Sequence, residues 1–186
     1  TDLDKTNLSE SIKSQLGPIL GEDQKYWYDH PIPLDIDPES NEVIYGLKGL
    51  DRAIEFEIQK GESSSDQKVD CVLSISVTHS GLQNIAKLYL QELMKSSSKI
   101  EHLNVYAFSE AQTLQLIKEV FEPAVQHYFS KRTAIDLVAI FGVDGEYGRH
   151  YSFLKAISAF WKVFIEPEKR ATFKFDLDQI FPQAEL

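Results

Sequence analysis

The sequence holds one cysteine, one methionine and few cationic residues for its size. The lone Cys71 has no internal partner. That excludes a disulfide-stapled scaffold and fits either a reducing compartment, with the cytoplasm expected, or simply a buried thiol. Lysine and arginine number 19 against 29 aspartate and glutamate, giving a formal charge of -10. A general nucleic-acid binder is excluded, because phosphate backbones require a basic surface. A single nucleotide needs only a local site and is not excluded. No apolar run approaches the ~20 residues of a membrane-crossing helix, so no transmembrane segment is expected. Apolar and aromatic residues, by contrast, are plentiful at 42% and 11%. A chain of 186 residues with that supply builds a core rather than remaining disordered.

The apolar pattern changes near Gly61-Glu62-Ser63-Ser64-Ser65-Asp66, a solvated loop that divides the chain into 1–66 and 67–186. The first part reads as a helical and irregular N-terminal arm. Leu8, Ile12 and Leu16 recur at helical spacing, with Asn7 and Glu10 as a capping pair and Gly17-Pro18 as the stop. A Pro-rich, acidic stretch follows, in which Tyr26, Trp27 and Tyr28 are expected to pack onto the core. Gly46 to Gln59 reads as a short helix.

After the loop, strands and helices alternate. Strands are expected over 71–77, 102–108, 134–141 and 171–175, and helices over 80–94, 111–129 and 151–164. The run 134–141 is apolar throughout, as in a strand buried on both faces. This order predicts an α/β fold: a mostly parallel, Rossmann-like sheet with helices on both faces. Ligands of such sheets bind beyond the carboxyl ends of the strands. The polar clusters of 67–186 fall there.

The first cluster is Ser76-Val77-Thr78-His79-Ser80-Gly81, a polar turn opening a helix, with Thr78 and His79 as candidate binding residues and Ser80 as a good N-cap. The second is Ser109-Glu110. Glu110 can accept hydrogen bonds from a base or ribose, although Ser109 as a cap and Glu110 at the helix dipole explain the same residues. The third is Gly148-Arg149-His150, followed by Lys155. Arg149 and Lys155 offer positive charge to a diphosphate, at a helix start where cations oppose the dipole. Neither a P-loop nor a dinucleotide glycine fingerprint is present. Last comes Asp176-Leu177-Asp178. Residues i and i+2 of a strand point to one side, so these acids can converge as the strand ends. Paired hard carboxylates suit Mg²⁺ or Mn²⁺ bound together with substrate phosphates. A bare turn after a strand accounts for two aspartates as well.

Taken in order, Ser76 to Gly81, Glu110, Gly148-Arg149 to Ala156 and Asp176-Leu177-Asp178 resemble the nucleotide-binding half of an A-type glycosyltransferase, the family 2-like group above all. The resemblance covers about residues 70 to 180. It implies a nucleotide-diphospho-sugar transferase fold, a nucleoside diphosphate sugar donor, an unidentified acceptor and a Mn²⁺ or Mg²⁺ cofactor. By that resemblance Asp178 ligates the metal and Asp176 contacts the ribose or the metal. Thr78 and Glu110 lie near the nucleoside, and Arg149 approaches the diphosphate. Ser109-Glu110 departs from the paired aspartates of that group. Its acceptor half and catalytic base follow the Asp-x-Asp, so residues 67–186 are expected to be a truncated nucleotide-sugar-binding domain. The alternatives are a non-catalytic nucleotide- or sugar-binding or scaffolding domain and, ranked lower, a sugar nucleotidyltransferase.

Overall fold

In a computed structural model of the chain the described residues are 6–25, 27, 31–66, 68–129, 137–138, 173 and 175–177. They form helices α1 (Glu10–Leu16), α2 (Glu42–Lys60), α3 (Ala86–Ser96), α4 (Glu110–Leu116) and α5 (Glu122–Phe129), and strands β1 (Val69–Ile75) and β2 (Leu103–Ser109). Short 3₁₀ turns occupy Gly17–Gly21, Pro38–Ser40 and Ser80–Asn84, and a π turn, Ile117–Phe121, joins α4 to α5. The fold is α/β. Among the described residues the sheet has two strands, paired in parallel from Val69 opposite Leu103 to Ile75 opposite Ser109. A parallel pair needs a crossover, and α3 supplies it.

One core joins α2 to the sheet. Ile44 and Leu47 of α2 pack with Leu73 of β1, Leu103 of β2, and Leu90 and Leu93 of α3. Each such side chain contributes about 1.5–3 kcal/mol on burial. Helix α2 starts earlier than its glycines suggest. Asn41 caps it, accepting from the Val43 N–H at 2.9 Å. It ends at Gly61, whose φ of 79° is the left-handed conformation glycine adopts without strain. Asp51 of α2 also fixes the entry to β2. Its Oδ1 accepts the N–H groups of Glu101 at 3.1 Å and His102 at 2.7 Å.

A second cluster places Ile12 and Leu16 of α1 against Ile85. The cap of α1 is Ser9 rather than Asn7. Ser9 Oγ accepts from the Ile12 N–H at 3.3 Å and donates to Glu92 of α3 at 2.8 Å, a tertiary tie that local pairing of Asn7 with Glu10 does not capture. Three further expectations change. Leu137 and Val138 are helical and pack against Ile117, whereas 134–141 reads as a strand. A short apolar run suits either a buried strand or a buried helix. Phe173 and Phe175 lie in no strand. Their rings stack on each other 6.3 Å apart, 80% and 49% exposed. Trp27 does not pack on the core but is 82% exposed. Among the described residues no helix is long and apolar enough to cross a membrane.

Candidate functional site

Beyond the carboxyl end of β1 lies a cavity of about 330 Å³. Ser74, Ser76 and Thr78 come to it from β1 and the turn that follows. Ile85, Ala86, Tyr89 and Leu90 come from the start of α3, and Pro31 and Ile32 from the N-terminal arm. Leu177, the residue between the two acids of Asp176-Leu177-Asp178, lines it too. Leu177 reaches that place by lying across Gly46 of α2 and joining the main core. Asp176 is exposed beside it. Thr78 and the Asp-x-Asp segment, about a hundred residues apart in sequence, therefore adjoin one cavity.

No charged side chain among the described residues lines this cavity. Besides Ser74, Ser76 and Thr78, its polar lining includes Asn41 and Tyr89. Asn41, fully buried, commits its carbonyl oxygen to the Val43 N–H, so its amide donates to the Tyr89 hydroxyl oxygen at 3.3 Å. Burial pushes the Tyr89 hydroxyl up from its ordinary value. The Asn41 hydrogen bond opposes this shift and the charge of Asp35 adds to it. The phenol stays protonated. Neither Asn41 nor Tyr89 stood out in the sequence. A polar-tipped aromatic on the apolar stripe of α3 was the available signal.

The other candidates are dispersed. His79 faces a second cavity of about 370 Å³, with Leu8, Leu16, Ile19 and Pro33, and its Nδ1 shares a hydrogen bond of 2.8 Å with Thr78 Oγ1. Glu110, 1% exposed, lines neither cavity. Gln83 Nε2 donates to its Oε2 at 3.2 Å. Ser109 caps α4 as expected, with its N–H donating to Gln112 Oε1 at 2.7 Å. Ser80 does not act as an N-cap but begins a 3₁₀ turn. The backbone donor that the turn offers at Gly81 is taken by the chain itself. Glu22 Oε2 accepts from the Gly81 N–H at 3.0 Å, and the Lys25 N–H donates to the Thr78 carbonyl at 3.0 Å. Arg149, Lys155 and Asp178 lie outside the described residues.

Among the described residues no three His, Cys, Asp or Glu side chains are grouped to hold a metal. A divalent magnesium-type site does not need three, since it is completed by water and substrate phosphates around one or two carboxylates. The hard, exposed carboxylate of Asp176 fits that donor chemistry. Comparison with protein-family models, curated proteins and solved structures finds no match to this chain.

Proposed function

We propose that the chain is the nucleotide-sugar-binding part of a metal-dependent glycosyltransferase, acting in the cytoplasm on a nucleoside diphosphate sugar. The observation that carries this reading is the shared cavity. Ser76 and Thr78 at the end of β1 and Leu177 of the Asp-x-Asp segment line the same space. In open α/β sheets that position, beyond the carboxyl ends of parallel strands, is where ligands bind. Asp176 and Asp178 would hold Mn²⁺ or Mg²⁺, which supplies positive charge to the departing diphosphate. Thr78 would approach the nucleoside, and Arg149 and Lys155 would add charge to the diphosphate. The finer fold assignment, a Rossmann-like nucleotide-diphospho-sugar transferase sheet, belongs to the same proposal.

The test is calorimetric titration of uridine and guanosine diphosphate with and without Mn²⁺. Binding that requires Mn²⁺ and is lost in Asp178→Ala supports the donor site. Equal binding by the parent and Asp178→Ala overturns it. A second reading, a non-catalytic binding or scaffolding domain, is favoured by one observation. Glu22 holds the Gly81 N–H, a donor that an anionic ligand would otherwise use. That reading expects no metal-dependent nucleotide binding in either protein.

A further inference from the structure

The cavity has a chemical character of its own. Aliphatic side chains make most of its surface, with Leu73, Val77, Ile85, Leu90 and Leu93 among them. A volume of about 330 Å³ exceeds the roughly 150 Å³ that suffices for benzene in an apolar protein cavity. No charged group among the described residues lines it, so an ionic ligand group entering it would lose water without compensation.

The hydroxyls of Ser74, Ser76, Thr78 and Tyr89 interrupt the apolar surface, and that of Tyr89 is oriented by the buried Asn41. The Asn41 side chain has a single orientation available. Its Oδ1 accepts from Val43, which turns its amide toward Tyr89. Tyr89 is therefore the acceptor in that pair, and its own O–H proton is left for something else. No side chain or carbonyl of the described residues takes it. A phenol has one donor and spare acceptor capacity, so a partner for this proton must itself carry an acceptor.

We propose that this cavity binds an uncharged ring bearing a carbonyl oxygen, with the ring against the aliphatic walls and the carbonyl accepting from the Tyr89 hydroxyl. A pyrimidine base is one source of that chemistry and a plain aromatic ketone another. The proposal goes beyond the donor-site reading and does not need it: ring binding can succeed where metal-dependent diphosphate binding fails.

The experiment uses the full chain and three probes of similar ring size: acetophenone, ethylbenzene and uridine. Binding is followed by methyl NMR of Leu90 and Leu93. Acetophenone is expected to bind saturably and shift both methyl groups, and to bind about 2–10-fold more tightly than ethylbenzene, the range of one neutral hydrogen bond. Tyr89→Phe keeps the ring and should erase that preference while leaving ethylbenzene affinity unchanged. Retained ethylbenzene binding shows that the variant is folded. Ala86→Leu, which fills the cavity, should remove both ligands. Uridine binding with the same Tyr89 dependence identifies a nucleoside as the source, and acetophenone binding alone identifies an apolar carbonyl compound. Absence of saturable binding by any probe overturns the proposal. So does equal affinity for acetophenone and ethylbenzene, or a preference that survives Tyr89→Phe.

Discussion

The carbonyl oxygen of Leu177 stands 2.5 Å from where a Cβ on Gly46 would be, and Leu177 Cδ2 stands 2.9 Å from the same point. Helix α2 thus passes through a glycine because another segment of backbone lies against it. Gly46→Ala sets two effects against each other. Alanine improves the helix by about 1 kcal/mol. Forcing Leu177 outward costs about 1–3 kcal/mol, because the clashing atom is backbone and cannot rotate away. A net loss of roughly 1 kcal/mol in urea unfolding is expected from these ranges, together with a moved Leu177 methyl resonance. A stabilised variant with Leu177 unmoved would sink this account of the docking.

Asp51 ties α2 to the start of β2 through two backbone donors on a single oxygen. Asp51→Ala leaves both N–H groups unserved and is expected to lose about 2 kcal/mol. Asp51→Asn keeps an acceptor oxygen and should lose less than half as much. Chemical denaturation of the two variants side by side decides it. Equal losses would mean that the charge, not the acceptor, holds the strand.

Acid lability has a local contributor at Glu39. Its carboxyl lies below the ordinary range, chiefly because Lys48 donates to it and secondarily because the Ser98 N–H does. A depressed folded value means that the contribution is present above the unfolded pKa and is lost as pH falls through the folded one. Lys48→Met should raise the Glu39 titration toward the ordinary range in an NMR pH series. The carboxylate is solvent-exposed, so 1 M salt should shrink the difference. An unchanged titration in Lys48→Met would refute the pairing.

Cys71 sits on β1 and packs against the main core. Burial raises its thiol, and the thiolate is the reactive form. Aromatic disulfide reagents should therefore modify the folded chain at least about tenfold more slowly than the unfolded chain. Comparable rates with and without denaturant would show the thiol to be open to solvent.

The parallel pair was legible because β-branched and apolar residues mark both strands, and α3 announced itself through Leu88, Tyr89 and Leu93, although the helix expected from residue 80 begins as a 3₁₀ turn over Ser80–Asn84 and becomes α-helical at Ala86. Errors arose where a distant partner decides a local choice. Gly46 looks like a helix boundary until Leu177 is seen to require it. Asn7 and Ser9 are both good caps, and Glu92, 83 residues beyond Ser9, selects between them. Phe173 and Phe175 alternate as strand residues do, yet their rings stack in solvent. The site was partly legible. Thr78 and the Asp-x-Asp segment meet one cavity, whereas His79 and Glu110 turn elsewhere. The Asn41–Tyr89 pair was not legible, since Asn41 gains its role only when its cap bond fixes which way the amide faces Tyr89.

The π turn at Ile117–Phe121 has a consequence for what the long segment from Glu110 to Phe129 can present to its surroundings. A single wide turn accommodates one extra residue, and one residue is about 100° of rotation around the axis. The segment is therefore two short helices out of phase rather than one long one. Its first half commits Thr113 and Ile117 to the interior. Tyr128 and Phe129 fall on the far side of the phase change and are exposed. Removing one residue from the turn would restore a single thread and swing those two side chains by about a quarter revolution.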